Sequence, residues 1–296
     1  MTIIGAISLP QNPPENLRAI ARAADEAGLE ELWLWEDCFL NGGVSAAAAA
    51  LAWTENLKVG IGIMPVPFRN VALAAMEIAT LSRLSGGRAL PGIGHGVQEW
   101  MGQVGNRAAS PLTLLREYAT ALRALLSGEE VTTKGRYVNL DAVKLDWPPT
   151  TVPPLYVGST GPKTLALGGE VGDGTILTGG TSPSGVVAAL GHIHADISPE
   201  REHEPGHGHG HGHGHEMVVF VPAAFGPGAA DRLLAQQQQW GTDHPGVSGT
   251  PEEMAAGLRE FVEAGATSLI LQPTPDDSDP VAFVRSIAEE IRPLID

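Results

Sequence analysis

The 296-residue sequence contains one cysteine, which excludes an intramolecular disulfide and fits a reducing compartment. No apolar run approaches the roughly 20 residues that a membrane-spanning helix needs. Basic residues are scarce, with 18 Lys and Arg against 34 Asp and Glu, for a formal net charge of −16. That balance disfavours nucleic acid and anionic membrane as partners. It also means that an anionic ligand has to be held locally, by backbone N–H groups or a few placed cations. The opening residues, MTIIGAISLPQ, carry neither a basic segment nor a long apolar one, so the expected location is the cytoplasm.

What the sequence does have is alternation. Apolar runs rich in Ile, Val and Leu occupy residues 3–9, 31–35, 57–64, 88–94, 154–158, 174–180, 217–223 and 267–273. Amphipathic segments lie between them, among them 15–28, 71–85, 110–128 and 250–265, and several end at glycine as helix C-termini do. Near-continuous apolar strands alternating with helices predict a parallel sheet covered on both faces. Eight such units predict a single (β/α)8 TIM barrel over residues 1–296. Residues 129–153 alternate polar and apolar positions and read as a β excursion before the fifth strand. The tract EHEPGHGHGHGHGHE, residues 202–216, reads as a flexible loop before the seventh strand. Its histidines lack the fixed geometry that a structural or catalytic metal requires, so no metal site is expected.

In a barrel the site lies where the strands end, so chemistry is sought just after each apolar run. The stretch PGIGHGVQEW follows the fourth run, and its Gly92, Gly94 and Gly96 miss the dinucleotide fingerprint by one residue. His95 stands between Gly94 and Gly96, where backbone leaves room for a ligand, and it is the candidate general acid or base. Glu99, four residues on, is the candidate to orient it. LWEDCF ends the second run and offers Asp37, with Cys38 beside it, as an acceptor for a ligand ring N–H. In YVGSTGPKTLALGGEVGDG a strand runs through Ser159, Thr160 and Gly161 into a helix with Pro162 in its first turn, capped by Ser159 or Thr160. The unpaired N–H groups there form an anion site. Gly179 marks the end of the sixth run.

Taken together, LWEDCF, LKVGIGIMPVPFRNVALAAMEIATLSRLSGGR, PGIGHGVQEW and LYVGSTGPKTLALGGEVGDGTIL resemble the bacterial luciferase-like monooxygenase superfamily, in its coenzyme F420-dependent oxidoreductase branch. The resemblance implies a TIM barrel with a flavin or 5-deazaflavin in its mouth, coenzyme F420 first and FMN as the alternative. It implies a non-prolyl cis peptide at Gly62–Ile63 behind the tricyclic ring, Asp37 as the second-strand acid, and Ser159, Thr160 and Gly161 as the phosphate grip. The family's sugar-phosphate dehydrogenases carry His and Glu where this chain has Cys38 and Val97, which argues against a sugar phosphate. The expected activity is hydride transfer between F420 and a small organic substrate, by a homodimer. An FMN-dependent monooxygenase, or a non-catalytic flavin-binding or metal-storing protein, is the alternative.

Overall fold

The computed structural model describes residues 2–194 and 214–295. Eight parallel strands form a closed ring in the order β1 (Ile3–Ser8), β2 (Glu31–Leu34), β3 (Lys58–Pro65), β4 (Ala89–Gly94), β7 (Tyr156–Gly158), β8 (Gly174–Leu177), β9 (Glu216–Ala224) and β11 (Ser268–Pro273). The β8–β9 and β11–β1 pairings complete it. The expected TIM barrel is therefore present. The expected excursion is the antiparallel pair β5 (Val131–Lys134) and β6 (Asn139–Val143). Strand β10 (Val247–Ser248) was not foreseen; it adds to β9 outside the ring and is too short to leave an apolar signature.

Helices α1 (Leu17–Glu26), α2 (Gly43–Trp53), α3 (Val71–Ser85), α4 (Gln98–Gln103) and α5 (Pro111–Leu126) belong to the first half. The second half holds α6 (Pro162–Val171), α7 (Pro183–His194), α8 (Ala229–Trp240), α9 (Pro251–Glu263) and α10 (Pro280–Ser286). Helix α9 begins with a capping box, in which the Thr250 hydroxyl accepts from the Glu253 N–H and the Glu253 carboxylate accepts from the Thr250 N–H. Most of the low-complexity tract lies outside the described residues. Its last residue, Glu216, is not loop but opens β9, and His215 just before it shares a 2.8 Å hydrogen bond from Nε2 with Thr175 Oγ1 of β8.

Strand alternation sends one set of side chains into the ring and the other towards the helices. Ile7, Trp33, Leu90, Tyr156, Ile176, Val218, Phe220 and Ile270 fill the interior as one cluster. Trp33 is fully buried, and Gly60 on the next strand makes room for it, since a Cβ there would lie 2.2 Å from the indole. The ring is thus a packed core, and ligands are confined to its ends.

The N-terminal floor of that core holds polar groups that satisfy one another. Trp33 Nε1 donates to Glu31 Oε2 at 2.8 Å, and Tyr156 Oη donates to Glu216 Oε2 at 2.5 Å. Burial pushes the Glu31 carboxyl from 4.5 up to about 7, outweighing the Trp33 hydrogen bond and the Lys58 charge that oppose it. A carboxyl raised in the folded state stabilises the fold fully below its unfolded value, and that contribution is lost as pH rises through the folded one. The fold should therefore lose about 3 kcal/mol through Glu31 between pH 4.5 and about 7. Denaturant titrations at about pH 5 and about pH 8 should show this loss in the wild type and not in Glu31→Gln, which keeps an acceptor for Trp33. Equal pH dependence in the two proteins would remove Glu31 from the account.

Candidate active site at the strand C-termini

The third ring strand carries the first irregularity at the mouth. It pairs with β4 through Ile61↔Pro91 and then Met64↔Ile93, so β3 holds one extra residue between these points. The Gly62–Ile63 peptide within this bulge is cis, where the resemblance located it. The Ile63 side chain is seated between two glycines of the following strands: a Cβ on Gly94 would stand 3.2 Å from it, and one on Gly158 2.7 Å. A second non-prolyl cis bond, Cys38–Phe39, was not foreseen.

After β7 the chain passes through Ser159 and Thr160 into α6. The cap residue of α6 is Gly161, in extended conformation and with no side-chain cap, so neither Ser159 nor Thr160 caps it as the sequence suggested. Ser159 is buried instead and donates from Oγ to the Thr164 carbonyl at 3.3 Å, while Thr160 is exposed. The first turn of α6 therefore presents N–H groups with no side chain over them. Lys163 occupies that turn, exposed, where the helix dipole disfavours a cation unless an anion is bound nearby.

His95 follows β4 and leans towards the same helix. Its Nε2 shares a 3.1 Å hydrogen bond with Thr164 Oγ1, and its buried Nδ1 has no hydrogen-bond partner. Burial lowers the His95 pKa, opposed in part by the Pro111 backbone, so the ring is neutral near neutral pH. Glu99 does not orient it. That residue is exposed in the first turn of α4, where its charge suits the helix N-terminus, and Thr164 takes the orienting role. Gly96 has a φ of +67°, which holds the turn after His95 and favours glycine there.

Between β2 and α2, Glu36 is committed to structure. Arg69 grips it with Nη1 to Oε2 at 2.6 Å and Nη2 to Oε1 at 2.7 Å, and Arg69 Nε reaches Glu77 Oε2 at 3.1 Å. Asp37, next in the chain, is half-buried, and burial raises its pKa. The Cys38 thiol is raised by burial and then by the charges of Asp37 and Glu36, so it is a neutral thiol and no activated nucleophile. Across the mouth, Gly179 lies against Gln272 of β11, with its Cβ position 2.4 Å from Gln272 Oε1. Gln272 is fully buried and neither amide atom is hydrogen-bonded. Among the described residues no cluster of His, Cys, Asp and Glu has the arrangement of a metal site.

The model of luciferase-like monooxygenases matches residues 2–240. The chain belongs to this family. Among curated proteins, it is 34% identical over 170 residues to a 5,10-methylenetetrahydromethanopterin reductase of Methanolobus tindarius, covering 57% of this chain and 52% of that protein. It is 33% identical to an F420-dependent glucose-6-phosphate dehydrogenase of Amycolatopsis mediterranei, covering 97% of this chain and 96% of that one. An F420-dependent secondary alcohol dehydrogenase, solved with an F420–acetone adduct, superposes with a TM-score of 0.84 at 22% identity over 100% of this chain and 99% of the other. At that identity the superposition speaks for the fold.

The barrel end brings together Asp37, Cys38, Gly62, Ile63, Gly94, His95, Gly96, Ser159, Thr160 and Gly161 at the C-termini of β2, β3, β4 and β7, with Gly179 on the far side and Glu99 turned away. Sequence reasoning missed Thr164, Arg69 and Gln272. Thr164 had a legible signal, a hydroxyl two residues after the proline that opens the helix. Histidine NMR titration should find His95 protonating below the ordinary value of 6.5. Thr164→Val removes its hydrogen bond and should cost about 1 kcal/mol in denaturant stability. A His95 that titrates at or above 6.5 would mean that the ring is exposed in solution.

Proposed function

We propose that this protein is a coenzyme F420-dependent oxidoreductase that moves a hydride between the deazaflavin and a small organic substrate. The observation that carries the reading is the uncapped N-terminus of α6, with Lys163 in its first turn, on the same barrel end as the Gly62–Ile63 bulge. One feature suits a phosphate and the other a flat ring laid against backbone. The names of the related reductase and dehydrogenase support the same cofactor.

The residues fit such a group. Gly161 and the first turn of α6 would hold its phosphate, and Gly62, Ile63, Gly94 and Gly96 would back its ring, with Asp37 and Cys38 at the adjoining edge. When bound, F420 supplies the hydride chemistry. The chain's own task is to orient, to exclude water and to manage the accompanying proton. His95, neutral and held by Thr164, is the group that takes or gives that proton. Exposed Leu73, Met76 and Leu84 form a stripe along α3, and this surface supports a homodimer. The lone Cys38 supports a cytoplasmic setting.

Parallel fluorescence titrations test the cofactor. F420 should bind at least about tenfold more tightly than FMN, a gap of about 1.4 kcal/mol. Equal affinities, or a preference for FMN, would overturn the reading in favour of an FMN-dependent monooxygenase. Gly161→Asp tests the phosphate grip cleanly, because a Cβ at Gly161 meets nothing within 4 Å and the residue has an ordinary negative φ. The added carboxylate should weaken F420 binding about tenfold or more without unfolding the protein. His95→Ala should slow single-turnover hydride transfer about 100-fold while leaving F420 affinity within about threefold.

A further inference from the structure

A cavity of about 380 Å³ opens at the mouth between β1 and β2 on one side and α1 and α2 on the other. Strand alternation explains its inner wall. Ile7, Leu9 and Trp33 turn into the ring, so Ser8 and Leu34 turn outwards, towards the helices. The outer wall is α2, where Ala46 and Ala49 keep the space open and Trp53 lines it one turn further on. The roof is tied down by Asn41, whose Nδ2 donates to the carbonyls of Pro10 at 3.3 Å and Asn12 at 3.2 Å, joining the loops after β1 and β2.

Two properties of this wall define what it accepts. No charged side chain lines the cavity, and its surface is mostly leucine, alanine, proline and tryptophan. A carboxylate or phosphate entering it would lose water and meet no charge in the lining, since the nearest guanidinium, Arg18, lies over the Trp53 ring at 5.8 Å from its centroid. Against this apolar surface stands Ser8, only 7% exposed, whose hydroxyl has no hydrogen-bond partner among the described residues. That hydroxyl opens on the cavity, where a ligand oxygen placed beside it makes the hydrogen bond that the protein does not supply. The volume falls within the range of small-molecule sites.

We infer that this cavity receives the apolar body of an uncharged substrate, anchored by one oxygen on the Ser8 hydroxyl. Identifying the occupant as the substrate rests on the oxidoreductase reading; the chemistry of the occupant rests on the cavity wall alone. An alcohol or ketone with a hydrocarbon chain fits the wall, and a sugar phosphate or carboxylic acid does not.

The test uses 2-octanone and octanoate as probes on the ¹⁵N-labelled full chain without cofactor, read through the indole N–H signals. Trp35 and Trp53 both line the cavity and are assigned by Trp35→Phe and Trp53→Phe, whereas Trp147 is no part of its lining. 2-Octanone should move the Trp35 and Trp53 signals and leave Trp147 still. Octanoate should bind at least tenfold more weakly, and Ser8→Ala should weaken 2-octanone about fivefold. Ala49→Phe, which fills the cavity, should abolish binding, with Ala46→Leu as the second filling variant should the first not fold. The proposal fails if neither tryptophan responds up to the solubility limit of the ketone. It fails equally if octanoate binds as well, or if folded filling variants bind 2-octanone as the wild type does. Loss of this binding in a protein that still binds F420 overturns the cavity proposal alone. Ketone binding in a protein that does not bind F420 overturns the oxidoreductase reading and leaves the cavity.

Discussion

Trp33 is the side chain on which the architecture turns. It plugs the ring, makes edge contacts with Tyr156 and Phe220 at centroid distances of 5.4 and 5.9 Å, and forces Gly60 to be a glycine. A filled interior denies ligands the barrel axis and leaves only the ends. Two residues further along the same face of β2, Trp35 stacks on Phe220 at 6.2 Å, so the plug ends in a second indole that faces the mouth.

These two tryptophans also separate the ends chemically. Trp33 Nε1 has its acceptor in Glu31, whereas Trp35 Nε1 is buried and unpartnered. The same contrast runs round the ring. Tyr156 and Glu216 satisfy each other near the floor, while His95 Nδ1, both amide atoms of Gln272 and the Thr274 hydroxyl lack partners at or just beyond the strand C-termini. Each unpartnered buried polar group costs roughly 1–3 kcal/mol. The Gln236 amide of α8 is unpartnered as well, but the groups at the mouth stand where a ligand could pair with them.

The fold was legible because a parallel barrel is periodic at two scales, alternating within each strand and repeating from strand to helix along the chain. The mouth was legible in part, and the divisions have physical causes. The start of α6 could be read because Gly161-Pro162 announces it, but which residue caps it depends on backbone angles that no spacing encodes. Glu99 was misread as the orienter of His95 because proximity in sequence stood in for proximity in space. The Thr164 hydroxyl lies 69 residues from His95 along the chain and 3.1 Å away from it. The Ser8 cavity left no trace in the sequence beyond the alanines of α2, since an empty volume is a property of two walls and neither announces the other.

The charge balance sets a further constraint on how the site can work. At a net charge of −16 the protein repels an anionic cofactor at long range, and salt screens this only beyond roughly 10 Å. Most of the cations that might compensate are already engaged. Arg69 holds Glu36 and Glu77, Arg123 holds Asp173 at 2.7 Å, Arg292 holds Glu30 at 2.9 Å, and Arg88 donates to the carbonyls of Leu51 and Leu57. Lys163 is not so engaged, and it stands in the first turn of α6, where an anion would meet it together with the free N–H groups. A phosphate placed at this helix end would therefore be met mainly by backbone dipoles fixed by the fold. If this helix end holds the cofactor phosphate, substitutions that tilt α6 by loosening its Ser159 contact should disturb cofactor binding even though they leave every charge in place.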